Sequence, residues 1–485
     1  MTPPPPPPAE KFPRAVSGEA AADRSSVTDD LADEYDVVVV GLGPGGEFTA
    51  NKLALAGLEV LAIDKHLAGG ECPFYGCVPS KMMIRAAEAL AEARLVREVA
   101  GDSTVTPDFG PVAERIRTEA THDWDDTVVV DRLCENGATV VHAHARLAGE
   151  GVVDVGGHQV RARSGIVLAT GTHPTAPPID GLADTPYWTN REVVKVTEAP
   201  GSLAVIGSGA IGSELAQVFQ RFGSQVTLLE VADRILVAEE PEVSTVMTEV
   251  LTREGMRVMP GVDIASVAYD DGRFALDLGE ETIHVEKLLV AAGRRTNLPD
   301  LGLETVGLDG EVDALDTDDC LHVLRDGEPV PGLFAVGDIV GKGPFTHTAK
   351  YQAGIVIRQL RGKPGPPADY RAVPRVTFTQ PEVGAVGLTE EQAREQGLDV
   401  KVGCVGLPES SRGHMHGPGN DGLIKLVVVD DKLVGATSVG PAGGEVLSML
   451  TLAVHARVPI GDLESMIYAY PTWHGQVRVA LARIE

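Results

Sequence analysis

The stretch Tyr35-Asp36-Val37-Val38-Val39-Val40-Gly41-Leu42-Gly43-Pro44-Gly45-Gly46 decides the fold. Its first half is a continuous β-branched apolar run, the pattern of a strand buried on both faces of a parallel sheet. Its second half sets Gly41, Gly43 and Gly46 at G-x-G-x-x-G spacing, where that strand hands over to a helix expected from about Pro44 to Ala56. A second apolar run from Val60 to Ile63 ends in Asp64 and completes a βαβ unit. In such a unit the first glycine makes the turn and the second lets backbone approach a pyrophosphate. The third permits close helix packing, and the acid receives ribose hydroxyls. The glycine string alone is weak evidence; its place between strand and helix gives it weight.

The same arrangement recurs. Ser202 to Ile206 reads as a buried strand, Gly207, Gly209 and Gly212 repeat the spacing, a helix follows from Ile211 to Phe222, and the strand Gln225 to Leu229 ends in Glu230. Two such units imply two nucleotide sites. A carboxylate at Glu230 accepts from a free 2′-hydroxyl and repels a 2′-phosphate, and no arginine stands beside it before Arg234, which favours NAD over NADP.

The 485 residues exceed one hydrophobic core and suggest about three domains. Aromatic content of 4% with 55 glycines suits an α/β chain rich in tight turns. A net charge of -29 argues against nucleic acid or anionic membrane as a partner, since both select clustered Lys and Arg. No apolar run of about 18 residues occurs and Met1 to Pro8 resembles no signal peptide, so a cytoplasmic location is expected. Residues 1–34 lack apolar periodicity and read as a disordered tail. Short strands are expected at Thr139 to His142, Gly165 to Leu168 and Lys287 to Ala291. From about Val373 the alternation changes to that of an α+β unit, with strands at Gly422 to Val429 and Leu433 to Val439.

Five cysteines in so long a chain do not form a secreted disulfide framework; Cys134, Cys320 and Cys404 stand alone and read as small buried or half-buried thiols. The other two lie in Gly69-Gly70-Glu71-Cys72-Pro73-Phe74-Tyr75-Gly76-Cys77-Val78-Pro79-Ser80-Lys81. Zinc ligation by Cys72 and Cys77 would need a second Cys or His pair at matching spacing, and there is none. They follow the first nucleotide unit and precede a helix expected from about Ser80, whose N-terminus favours thiolate. His414 and His416 read as part of a polar loop, and no metal site is expected.

With Ala169-Thr170-Gly171, Ala292-Gly293-Arg294-Arg295-Thr296-Asn297 and Gly332-Leu333-Phe334-Ala335-Val336-Gly337-Asp338, this string gives the chain a clear resemblance, from Tyr35 onward, to the class I pyridine nucleotide-disulfide oxidoreductases. That group includes dihydrolipoamide dehydrogenase and mercuric reductase. The resemblance implies FAD and NAD(H) as cofactors, with Asp338 on the ribityl chain of FAD. It implies Cys77 as the thiolate against the flavin, Cys72 as the thiol that exchanges with substrate, and Lys81 near flavin N5, paired with Glu214. Gly212 at the third glycine position again points to NAD. The resemblance further implies an α/β fold of two Rossmann-like nucleotide-binding domains plus a C-terminal α+β dimerisation domain. Its divisions are 35–180 and 295–365 for FAD, 181–294 for NAD and 366–485 for the interface of a homodimer.

One feature departs from the family. Dithiol-active members carry a C-terminal His-Pro-Thr and a following Glu, a base dyad serving the partner subunit's site; here Tyr470-Pro471-Thr472 takes its place, with Gly475 at the acid position. A phenol with pKa of about 10 is a poor base near neutrality, which leaves His474 as the candidate substitute beside a purely structural reading of it. The last cysteine is Cys404, so the C-terminal cysteine pair of mercuric reductases is missing. The expected function is therefore an NADH-linked disulfide reductase acting on a small-molecule or protein-bound disulfide. The alternatives are a quinone reductase or diaphorase, a metal reductase of the mercuric type, and a redox-sensing or binding subunit.

Overall fold

The computed structural model describes residues 31–485, so the expected tail lies outside the described residues except for its last four. Those four belong to the fold: Leu31 is buried and Glu34 opens the first strand.

The valine run forms the strand Glu34–Val40, with Val37, Val38 and Val39 wholly buried. It pairs in parallel with Val60–Asp64 on one side and with His158–Leu168 on the other. The sheet continues to Ala138–His142 at one edge and, beyond His158–Leu168, to Glu328–Ala335. Beyond Glu328–Ala335 the sheet ends in His322–Arg325, so the chain leaves it after Leu168 and returns at His322, 154 residues later. In between it builds a four-stranded parallel sheet in the order Arg257–Met259, Gln225–Leu229, Ser202–Ile206, Lys287–Val290, with a three-stranded antiparallel meander beside it.

The two glycine strings act alike. A Cβ on Gly46 would lie 1.9 Å from the carbonyl oxygen of Gly41, and one on Gly212 would lie 1.9 Å from that of Gly207, so only glycine lets each helix start so close to its strand. The helices run Pro44–Ala54 and Ala210–Arg221. A five-stranded antiparallel sheet, in the order Pro374–Thr377, Glu382–Gly387, Lys432–Gly440, Leu423–Val429, Lys401–Gly406, follows, and the helix Gly443–His455 packs on it.

The second sheet's unit is fastened to this last sheet by buried charge. Lys425, 3% exposed, places its ammonium 2.9 Å from Glu240, 2.8 Å from Glu242 and 3.0 Å from Glu390. Burial opposes the charge, but hydrogen bonds to the three carboxylates outweigh it and raise the lysine's pKa. Arg375 grips Glu239 through two bonds of 2.7 and 2.8 Å nearby. Replacing Lys425 by Met should strand the Glu240 carboxylate and lower unfolding stability by about 3 kcal/mol, read from the urea midpoint.

Candidate active site

Cys72 lies in a single helical turn, Glu71–Phe74, and Cys77 is the first residue of the helix Cys77–Val99, which begins three residues earlier than the sequence suggested. Both thiols face a cavity of about 1780 Å³ whose wall includes Gly41, Gly43, Asp64, Thr170, Gly171, Lys81, Glu214, Arg294, Gly337 and Asp338. The first glycine string and the cysteine pair therefore share one space.

The two thiols are not equivalent. Hydrogen bonding from Cys72 lowers the pKa of Cys77, and although burial opposes this, the Thr346 hydroxyl and the Lys81 ammonium help bring it down to about 6. Cys72, donating to Cys77 and buried, is pushed the other way. Thr346 lies 3.6 Å from the Cys77 sulfur at the first position of the helix Thr346–Leu360, whose N-terminal end further favours a thiolate there. Nothing in the glycine or cysteine strings pointed to Thr346.

Lys81 stands one turn beyond Cys77 on the same helix face. Its ammonium is 2.8 Å from Glu214, a carboxylate 4% exposed, whose other oxygen accepts from the backbone N–H of Phe378 at 2.8 Å. The Phe378 ring also lies under the ammonium, at 4.7 Å.

The cavity's far part fits a dinucleotide on its own terms. A Cβ at Gly43 would meet nothing within 4 Å, leaving bare backbone open to a ligand. Asp64 closes the strand with one oxygen accepting from Leu42 N and the other from His66 N, both at 2.7 Å. Asp338 accepts from the Thr172 hydroxyl at 2.6 Å, the Gly337 N–H is held by Gln352 at 2.7 Å, and Thr170 and Asn297 exchange bonds of 3.0 and 2.8 Å.

The second glycine string repeats the first. Gly209 has the same open space as Gly43, and Glu230 accepts from Ser208 N at 2.9 Å as Asp64 does from Leu42 N. Burial raises the Glu230 pKa, but the Ser208 hydroxyl and the backbone N–H groups around it bring it below the usual carboxylate value. Arg234 turns into its own loop, donating to the Ser244 hydroxyl and the Val237 carbonyl, both at 2.9 Å. Gly207, Gly209, Gly212 and Glu230 do not line the large cavity, whereas Ala210, Ile211 and Glu214 of the helix they open do. Gly293 is likewise off the wall; its carbonyl accepts from Thr175 N at 3.1 Å.

Tyr470 and His474 are not brought to the thiols of their own chain: neither lines the cavity, and Tyr470 is 78% exposed. Cys134 is exposed rather than buried, and His414 and His416 lie on a short helix, Ser411–His416, rather than a loop.

Residues 35–353 match the family model described as pyridine nucleotide-disulphide oxidoreductase, and residues 373–481 match its dimerisation domain. The chain is a pyridine nucleotide-disulphide oxidoreductase. It is 33% identical to a dihydrolipoyl dehydrogenase of Halobacterium salinarum, over 92% of this chain and 95% of that one. A mercuric reductase of Staphylococcus aureus is 31% identical, over 95% and 84%. Among solved structures, the HOCl-induced flavoprotein disulfide reductase RclA from Escherichia coli superposes with a TM-score of 0.79 at 25% identity, covering 92% of this chain and 99% of that one. The oxidoreductase is accordingly an FAD-dependent, NAD(H)-linked enzyme that carries the family's dimerisation domain. Among the described residues, no helix is long and apolar enough to cross a membrane.

The depressed Cys77 pKa gives a pH signature. Its thiolate should persist above about pH 6 and be lost as pH falls through that value. Alkylation of Cys77 in the reduced enzyme should therefore rise with a midpoint near 6, against about 8.5 for an ordinary cysteine.

Proposed function

We propose that the enzyme reduces a disulfide substrate at the expense of NADH, with Cys72 and Cys77 as the working pair. The observation that carries this reading is their opposed polarisation beside Lys81. Cys77 is held as thiolate within the cavity, and Cys72 retains its proton. When bound, FAD supplies the hydride acceptor and two-electron donor that links NADH to a disulfide. The residues of the chain do the rest. The turn of Gly41, Gly43 and Gly46 with Asp64 receives one dinucleotide, and that of Gly207, Gly209 and Gly212 with Glu230 receives the other, the carboxylate favouring NAD. Lys81 and Thr346 hold negative charge on the Cys77 sulfur. The proton stays on Cys72 until its sulfur attacks the substrate disulfide; a mixed disulfide forms as one substrate thiol leaves with that proton, and the Cys77 thiolate then displaces the second substrate sulfur as a thiolate, which takes a proton from solvent, restoring the Cys72–Cys77 bond.

We further infer a homodimer. The dimerisation domain presents Ile467, 95% exposed, and three residues on Tyr470, 78% exposed, neither of them covered among the described residues. In this arrangement Tyr470 and His474 serve a partner's thiols, which accounts for their distance from those of their own chain. Relatives named dihydrolipoyl dehydrogenase make lipoamide the first disulfide to assay, and those named mercuric reductase make Hg(II) the second acceptor.

The wild-type enzyme should oxidise NADH with lipoamide, and Cys72→Ser should lose at least about 1000-fold of that rate, the scale expected on losing a nucleophile that acts as part of a unit. Lipoamide reduction by Cys72→Ser at the wild-type rate, or wild-type turnover of quinones but of no disulfide, would sink this reading in favour of a diaphorase. Negligible turnover with every acceptor would favour a redox sensor.

A further inference from the structure

Glu71, the residue before Cys72, has no part in the chemistry so far, yet it is the most heavily bonded side chain beside the thiols. One carboxylate oxygen accepts from Arg191 Nε at 2.7 Å; the other accepts from Asn190 Nδ2 at 3.0 Å and lies 3.5 Å from Arg294 Nη2. Asn190 also donates to the carbonyl of Tyr75 at 2.9 Å, so both ends of the turn carrying Cys72 are pinned to the same segment. Arg191 stacks its guanidinium over the Tyr75 ring at 5.4 Å.

The network continues toward the nucleotide-binding wall. Arg294 donates through Nε to the Thr172 hydroxyl at 2.8 Å and through Nη2 to the Thr172 carbonyl at 3.0 Å. The same hydroxyl donates to Asp338 at 2.6 Å. Asp338, Thr172 and Arg294 are therefore joined by hydrogen bonds, and an ion pair of 3.5 Å continues the chain to Glu71, the residue bonded to Cys72.

The charges have a consequence for the dithiol. Two guanidinium groups, those of Arg191 and Arg294, bear on the carboxylate of Glu71, next in sequence to Cys72, while Lys350 acts on Cys72 and Lys81 on Cys77. Cations near a dithiol stabilise its thiolate form and so make the disulfide easier to reduce. Glu71 neutralises the two guanidinium groups.

We propose that Glu71 is a positioning residue of the disulfide centre, which fixes the Cys72 turn to the Asp338 wall and sets the redox balance of the pair by compensating Arg191 and Arg294. This rests on Cys72 and Cys77 being the working pair. Removing the charge while keeping the shape leaves both guanidinium groups uncompensated, so the reduced form gains.

The test equilibrates holoenzyme with glutathione redox buffers, in which the protein disulfide and two glutathione thiols exchange to give the protein dithiol and one glutathione disulfide. Of the two glutathione thiol protons, one ends on Cys72 and the other is released to solvent, Cys77 being a thiolate above about pH 6. The fraction of each cysteine peptide alkylated is read by mass spectrometry. Glu71→Gln should shift the equilibrium toward dithiol about tenfold, or about 30 mV. Glu71→Asp, which keeps the charge, should stay within about twofold of wild type. A lowered Tm in both variants with no change in the equilibrium would show a structural role only and overturn the proposal. The underlying reading fails separately if NADH leaves both cysteines of the wild-type holoenzyme unalkylated.

Discussion

The reactive region depends on one buried carboxylate. Glu214 comes from the helix that opens the second nucleotide unit, yet its two oxygens are taken by the Lys81 ammonium of the cysteine-bearing helix and by the backbone N–H of Phe378 in the last sheet's unit. A carboxylate so enclosed is tolerable only while both partners stay in place, because an unpaired buried charge costs several kcal/mol. That penalty holds three distant parts of the chain in register. It also fixes the ammonium one helical turn from the Cys77 sulfur, so the same ion pair that joins the units sets the electrostatics of the thiol.

The asymmetry of the two thiols follows from this and from where each sits. Cys77 begins a helix of 23 residues and meets the start of a second helix at Thr346, so two sets of unpaired N–H groups and one ammonium converge near its sulfur. Cys72 sits in a single turn, donates to Cys77 and is buried, and these effects outweigh Thr346 and Lys350, which act the other way. One sulfur is suited to hold charge inside the cavity and the other to hold a proton until exchange.

Much of this was legible in the sequence because it is written in local spacing. The valine run, both glycine strings and the acids Asp64 and Glu230 declare their backbone geometry within 30 residues, and each appears in the expected place. The Lys81–Glu214 pair spans 133 residues and was legible only through the family resemblance. Thr346, Asn190, Arg191 and the bonds of Glu71 were not legible at all, since they depend on sheets and helices folding back across more than 100 residues, with no periodic signal at either end. The helix start at Cys77 was misplaced by three residues for a local reason. Pro79 and Ser80 look like a first turn, but Pro79 is tolerated as the third residue, where its missing N–H has no helical partner to lose.

The most direct test of the account is to titrate the holoenzyme anaerobically with NADH, alkylate, and quantify each cysteine. Starting from oxidised protein, the account predicts that Cys72 and Cys77 become alkylated together while Cys134, Cys320 and Cys404 do not change. Uptake of NADH equivalents with Cys72 and Cys77 still joined would contradict it, and would place electron transfer outside the pair.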